Sequence, residues 1–137
     1  MRRSGKSTLF DLYAQELLHM GVTSKQIQII RLEELENIVY LELLRRGYNV
    51  YVGKVDTRDK DGKSKSLKID FVAENENGIE YYQVSDTVLD NNVLQRELTP
   101  LNAVRDHYPK FILTGDYGVF DYNGIKRLNV LEWLLDK

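Results

Sequence analysis

The stretch that decides the fold is Leu67–Ser85, which reads LKIDFVAENENGIEYYQVS. Its two apolar ends predict two strands, Leu67–Ala73 and Ile79–Ser85, because β-branched and aromatic residues are frequent in strands. The dipeptide Asn77-Gly78 lies between them, and Asn-Gly is a strong signal for a tight hairpin turn. The sequence therefore predicts an antiparallel pair of strands in the middle of the chain.

The segments on either side of this hairpin alternate between helical and extended patterns. Apolar residues recur at helical spacing through Leu32–Arg46, and Gly47 is placed to end that helix. The other predicted elements are a strand at Tyr48–Val55, a helix at Asn92–His107 that Pro100 should kink or break, and a buried central strand at Lys110–Thr114. A further strand at Gly124–Asn129 and a closing helix at Val130–Leu135 follow. The order α-β-β-β-α-β-β-α predicts an α/β fold in which helices flank a mixed sheet.

Composition narrows the class of protein. A chain of 137 residues fits one compact domain with a core of its own. It contains no cysteine, which excludes disulfides and thiolate metal sites and favours the reducing cytoplasm as its location. No apolar run approaches the ~20 residues that a membrane span needs, so no membrane association is expected.

Basic residues concentrate in one segment, Lys54–Lys68, although the net charge of the chain is −2. Because acidic residues alternate with the basic ones, one interpretation is a solvated, flexible hairpin loop over Asp56–Ser66. The other interpretation is a contact to nucleic-acid phosphates, which the overall charge does not favour.

The N-terminus carries part of a phosphate-binding motif. Gly5, Lys6, Ser7 and Thr8 open a predicted helix, Ser7–Met20, as in the motif G-x-x-x-x-G-K-[ST], whose backbone N–H groups, lysine and hydroxyl hold phosphates and Mg²⁺. The first glycine of the motif and the strand that normally precedes it are missing. These residues, with a short strand expected at Ile27–Ile30, resemble the opening of AAA-type ATPases. The absent ATPase core predicts no productive ATP binding or hydrolysis.

The rest of the chain resembles a different module. The segment from 35 to 136 is similar to a C-terminal domain of unknown function that is attached to many of those AAA-type ATPases. The matching stretches are Glu36 to Gly47, Ile69 to Val72, Tyr82 to Ser85, Arg96 to Leu98, Tyr108 to Lys110 and Gly124 to Ile125. The resemblance implies a restriction-endonuclease-like, PD-(D/E)XK core. It also implies two parts, a P-loop remnant at 1–34 and the nuclease-like domain at 35–137.

In PD-(D/E)XK nucleases, acidic residues on a helix and two strands bind Mg²⁺, and a lysine two residues after the last acid assists the nucleophile. On that pattern, Glu36 and Asp70 are the expected metal ligands, and Gln83 and Ser85 stand where the acid and the lysine would be. We expect the side chains of Glu36, Asp70 and Gln83 to converge at one edge of the sheet.

These departures favour a module with little or no catalysis that requires no cofactor and binds DNA or a protein partner. Two alternatives stay open: a Mg²⁺-dependent DNA nuclease that uses Glu36 and Asp70, and an ATP-binding protein that uses the partial P-loop. The N-terminal helix has an apolar face without a sheet to cover it, so it is expected to dock on the domain or to form a homodimer.

Overall fold

The computed structural model describes residues 15, 18–21 and 23–136, with the side chains of 24–31 outside that description. The helices whose bounds the structure describes are α1 (Ser24–Arg45), α2 (Asn91–Ala103) and α3 (Val130–Leu135). The strands are β1 (Asn49–Arg58), β2 (Ser64–Asn75), β3 (Gly78–Ser85), β4 (Lys110–Thr114), β5 (Phe120–Tyr122) and β6 (Ile125–Asn129).

One mixed sheet of six strands, in the order β1-β2-β3-β4-β6-β5, organises the fold. The strands β1, β2 and β3 form an antiparallel meander, whereas β3, β4 and β6 run parallel. Helix α2 connects β3 to β4, as a parallel crossover requires. The predicted α/β class, with helices flanking a mixed sheet and β4 buried at its centre, is confirmed.

Two apolar layers cover the two faces of the sheet. On one face, Val39 and Leu43 of α1 and Trp133 of α3 pack with Tyr82 and Val84 of β3. On the other face, Leu98 and Leu101 of α2 pack with Ile69, Ile112 and Ile125. Neighbouring residues of β3 therefore point to opposite helices, and the polar side chain of Gln83, between Tyr82 and Val84, lies on the α2 side.

The predicted strand at Ile27–Ile30 is wrong, because α1 is continuous through it from Ser24 to Arg45. β-branched isoleucines favour strands, but no glycine or proline lies between Ser24 and Gly47. The helix therefore extends across the expected boundary at residue 34. Gly47 ends the helix as predicted, with φ of 91°. Its N–H donates to Leu44 O at 3.0 Å, and the N–H of Tyr48 donates to Leu43 O at 3.1 Å.

The flexible loop expected over Asp56–Ser66 is also wrong. Strand β1 continues to Arg58 and β2 begins at Ser64, so most of this segment is a β-ribbon. Its turn is held by Asp59, whose carboxylate accepts the N–H groups of Asp61 and Lys63 at 3.0 and 2.9 Å. Cross-strand backbone pairing does not require apolar side chains. The apolar pattern of the sequence therefore predicted both strands shorter than they are.

The crossover helix α2 and the edge of the sheet at β5 differ in detail from what the sequence predicts. Helix α2 begins after the N-cap Asp90, passes through Pro100 and ends at Ala103, before the predicted end at His107. Pro100 therefore does not break the helix, which ends at the C-cap Val104, whose N–H donates to Leu101 O at 3.2 Å. The short edge strand β5 was not predicted, and the closing helix Val130–Leu135 is confirmed.

Of the predicted N-terminal helix Ser7–Met20, the described residues Gln15, Leu18 and His19 are helical. The P-loop residues Gly5, Lys6, Ser7 and Thr8 lie outside the described residues. Gly21, directly after the predicted helix, has a φ of 92°, a conformation that is common where helices end. Within the described ranges, no helix combines the length and apolar character that crossing a bilayer demands.

Candidate active site

The candidate site lies where β2 and β3 part. Their last paired residues are Phe71 and Tyr82, and side chains bridge the two strands beyond that pair. The N–H of Asp70 donates to Gln83 Oε1 at 2.7 Å, and the N–H of Val84 donates to Asp70 Oδ2 at 2.9 Å. Asp70 and Gln83 therefore replace the backbone ladder at the mouth of a gap in the sheet.

A β-bulge places Asp70 at this gap. Between Tyr51 and Gly53, β1 has one residue where β2 has two, Asp70 and Phe71. The extra residue interrupts the alternation of faces, so Ile69 packs toward α2 whereas Phe71 packs toward α1. Bulges commonly redirect a side chain beside an active site. The bulge turns the carboxylate of Asp70 toward β3 rather than into either apolar layer.

Two glutamates from opposite faces of the sheet approach Asp70. Burial raises the pKa of Glu36 on α1, and the negative charge of Asp70 raises it further. On α2, burial and then the charges of Asp70 and Glu36 raise the pKa of Glu97 to about 7, against the lowering effect of Arg96 and Lys68. Three carboxylates from three elements thus interact electrostatically across the gap.

Asp70 is the most constrained of the three carboxylates. Burial raises its pKa, while the N–H of Val84 and the ammonium of Lys68 lower it. Lys68 Nζ lies 3.7 Å from Asp70 Oδ1, and the Lys68 side chain is 62% exposed. The ammonium therefore reaches Asp70 from the solvent side.

Gln83 and Ser85 occupy the positions of the missing acid and lysine, and both are buried. The Gln83 amide donates to the backbone oxygens of Lys68 and Glu97, each at 3.4 Å, so it connects β2 and α2. Ser85 Oγ donates to Thr87 O at 3.0 Å, within the loop that follows β3. In this arrangement the two side chains stabilise the backbone around the gap.

The convergence was expected at one edge of the sheet, but the gap lies between β2 and β3, the second and third of the six strands. Asp70 and Gln83 are hydrogen bonded, and Glu36 is near enough for its charge to interact with that of Asp70. The catalytic and metal-binding roles given to these residues stay predictions. Glu97 was missed as a site residue, although its stretch belongs to the resemblance, because on α2 it reads as an ordinary helical acid. A carboxylate directly before the buried Leu98 was the available signal.

The donor chemistry of the cluster fits a hydrated Mg²⁺ ion. Among the described residues, no group of three or more His, Cys, Asp or Glu side chains is close enough to enclose a metal ion. Mg²⁺ does not need such a cage, since it keeps several waters and is usually held by one or two carboxylates and substrate phosphates. Asp70 with Glu36 or Glu97 would meet that requirement with hard carboxylate oxygen donors.

The chain is similar in sequence to part of a longer protein. Over 102 residues, 74% of this chain, the sequence is 39% identical to an uncharacterized protein from Haemophilus influenzae. The matched region spans 22% of that protein's length. No family model matches the sequence.

Proposed function

We propose that this domain is a nuclease-type module of the PD-(D/E)XK class that binds Mg²⁺ and DNA at the gap between β2 and β3. The observation that carries the proposal is the arrangement at that gap, where Asp70 Oδ2 accepts the N–H of Val84 at 2.9 Å and Lys68 Nζ lies 3.7 Å from Asp70 Oδ1. Burial and then the charge of Asp70 raise the pKa of Glu36 and of Glu97, which supports it. Holding three carboxylates together costs free energy, because each charge opposes the others. A divalent cation relieves that repulsion, which explains why a fold would keep such a cluster.

Each residue has a distinct part in the proposed site. Asp70 is fixed by the N–H of Val84, so it is the anchoring ligand, and Glu97 supplies the acid that Gln83 does not. Lys68 brings a positive charge to a phosphate from the solvent side, in place of the missing strand lysine. When bound, Mg²⁺ supplies a Lewis acid and lowers the pKa of a coordinated water.

A second candidate function is a module that binds DNA or a protein partner without cleaving anything. Gln83 and Ser85 favour it, because the hydrogen bonds of their side chains go to backbone atoms, which leaves neither the acid nor the lysine of a nuclease at these two positions. The ATP-binding alternative depends on Lys6 and Ser7, outside the described residues, and its absence of hydrolysis stays a prediction.

The test combines metal binding with DNA cleavage. Titration with Mn²⁺, followed by electron paramagnetic resonance, should show saturable binding that Asp70→Asn and Glu97→Gln each weaken by about 10-fold, since each removes one anionic donor. Supercoiled plasmid with Mg²⁺ or Mn²⁺ should be nicked by the wild type and not by Asp70→Asn. The asparagine keeps an acceptor for the Val84 N–H, so the strands should stay in place.

Glu132→Gln is the matched control, because Glu132 is exposed on α3 at a distance from the gap. It should bind Mn²⁺ and nick plasmid as the wild type does. Metal binding without nicking would favour the non-catalytic module. A wild-type protein that neither binds Mn²⁺ nor nicks DNA would refute the metal site.

A further inference from the structure

The β1–β2 ribbon extends past the rest of the sheet. Strands β1 and β2 stay paired from Gly53 with Ile69 out to Arg58 with Ser64, whereas β3 accompanies β2 only as far as Phe71. Six residues per strand at ~3.3 Å each give an arm of about 20 Å. A projection of this length buries little surface on its own, so its sequence is free to serve a partner.

The two faces of the ribbon differ in chemistry. Val55 and Ile69 pack against the apolar layer under α2, which fixes the inner face. By alternation, the outer face carries Lys54, Asp56 and Arg58 from β1, and Lys68, Ser66 and Ser64 directly across from them on β2. Lys54 therefore stands opposite Lys68, and like charges in directly paired positions destabilise a ribbon. The outer face is arranged for an anion rather than for the stability of the hairpin.

The alternation of signs in the sequence does not cancel this charge in space. Asp59 is turned into the hairpin turn, where it accepts the N–H groups of Asp61 and Lys63. Asp56 shares the outer face with Lys54 and Arg58, and leaves that face with an excess of positive charge. The outer face thus keeps a net positive charge although Asp56 lies between its two β1 cations.

The basic face leads to the carboxylate gap. Lys68 lies at the root of the ribbon, 3.7 Å from Asp70. Because the inner face of the ribbon packs with the apolar layer under α2, its outer face is on the other side of the sheet, the side that α1 covers and to which Glu36 belongs. A phosphate backbone that followed Arg58 and Lys54 would reach Lys68 and then the proposed metal site.

We infer that the outer face of the β1–β2 ribbon binds the phosphate backbone of duplex DNA and guides it to the carboxylate gap. This inference rests on the proposed function for its direction, but the contact itself needs no metal. A two-stranded ribbon has the width that the major groove admits, and its lysines and arginine neutralise phosphates without reading sequence. Binding should therefore depend on salt and not on the base sequence.

The test measures duplex binding in the absence of divalent metal. A fluorescein-labelled duplex of about 30 base pairs is titrated with the protein in EDTA, with fluorescence anisotropy as readout, from about 50 to about 200 mM NaCl. The variant Lys54→Ala/Arg58→Ala should bind about 10-fold more weakly at the low salt end. Its slope of log K against log salt should fall by about 2, one per lost phosphate contact.

The control removes the same charge elsewhere. Arg45→Ala/Lys126→Ala alters exposed cations at the end of α1 and on β6, near the opposite edge of the sheet. It should bind the duplex as the wild type does, and circular dichroism should show both double variants folded. Equal weakening in the two variants, unchanged binding by the ribbon variant, or a wild type that binds no duplex would each overturn the inference. Mn²⁺ binding is measured separately, so the proposed DNA contact of the ribbon and the proposed metal site can each be refuted without the other.

Discussion

Glu97 shows at the scale of one residue how the site affects stability. An acid whose pKa is higher in the folded than in the unfolded protein stabilises the fold while it is protonated. For Glu97 that stabilisation is complete below the ordinary value of 4.5 and is lost as the pH rises through about 7.

The corresponding prediction compares the wild type with Glu97→Gln in EDTA. Between about pH 5 and about pH 8, we expect the wild type to lose about 1–2 kcal/mol of unfolding free energy relative to the variant, after allowance for solvent screening. The neutral amide of the variant cannot ionise, so the variant keeps the unfolding free energy that the wild type loses. Urea unfolding at the two pH values measures the difference, and a wild type that keeps or gains unfolding free energy relative to the variant as the pH rises would contradict the placement of Glu97.

At the scale of elements, the bulge between β1 and β2 depends on Gly53. A Cβ built on Gly53 would lie 2.7 Å from Val72 Cγ2 and 3.1 Å from Ile69 Cβ. The two strands can therefore cross closely at the bulge only if this residue has no side chain. The position of Asp70, next to the same bulge, depends on that close approach.

We expect Gly53→Ala to destabilise the protein by about 1–3 kcal/mol, because the added methyl overpacks the junction of the ribbon with the sheet. It should also weaken Mn²⁺ binding, since a shifted β2 moves Asp70. Val52→Ala, which changes the exposed neighbour, should do neither. Thermal unfolding with Mn²⁺ titration checks both effects, and a fully stable Gly53→Ala would show that the strands are less closely apposed.

At the scale of the whole molecule, Arg46 connects the end of α1 to the end of α3. Its Nη2 donates to the backbone oxygens of Trp133 and Asp136 at 2.7 and 2.6 Å, and its guanidinium lies 4.4 Å from the centroid of the Trp133 ring. Nε of the same side chain bonds Glu42 at 2.7 Å. The guanidinium thus joins α1 to the end of α3 over the apolar layer.

Arg46→Ala should lower the free energy of unfolding by about 2–3 kcal/mol, because it removes charge-assisted hydrogen bonds and a cation–π contact together. Arg45→Ala removes a neighbouring arginine that bonds the same Glu42 but has an exposed side chain. It should leave the urea midpoint unchanged. Equal effects of the two substitutions would mean that Arg46 acts only through Glu42.

Sequence alone determined the elements whose signals are local. The β2–β3 hairpin, the glycine end of α1, the apolar β4 and the closing helix were predictable, because periodicity and turn residues act over a few positions; the turn itself lies one residue earlier than Asn77-Gly78, at Glu76-Asn77. The α/β class followed from their order. The same local reading failed at Ile27–Ile30 and over Asp56–Ser66, where helix continuation and cross-strand pairing outweighed residue preference.

Only the tertiary structure decided the candidate site. Glu36, Asp70 and Glu97 are far apart in sequence, and they interact because two helices pack on opposite faces of a sheet that opens between β2 and β3. That opening depends on the bulge at Asp70, and the basic face of the ribbon depends on the register that sets Lys54 against Lys68. Such contacts arise from packing across the whole chain, so no spacing rule within one segment encodes them.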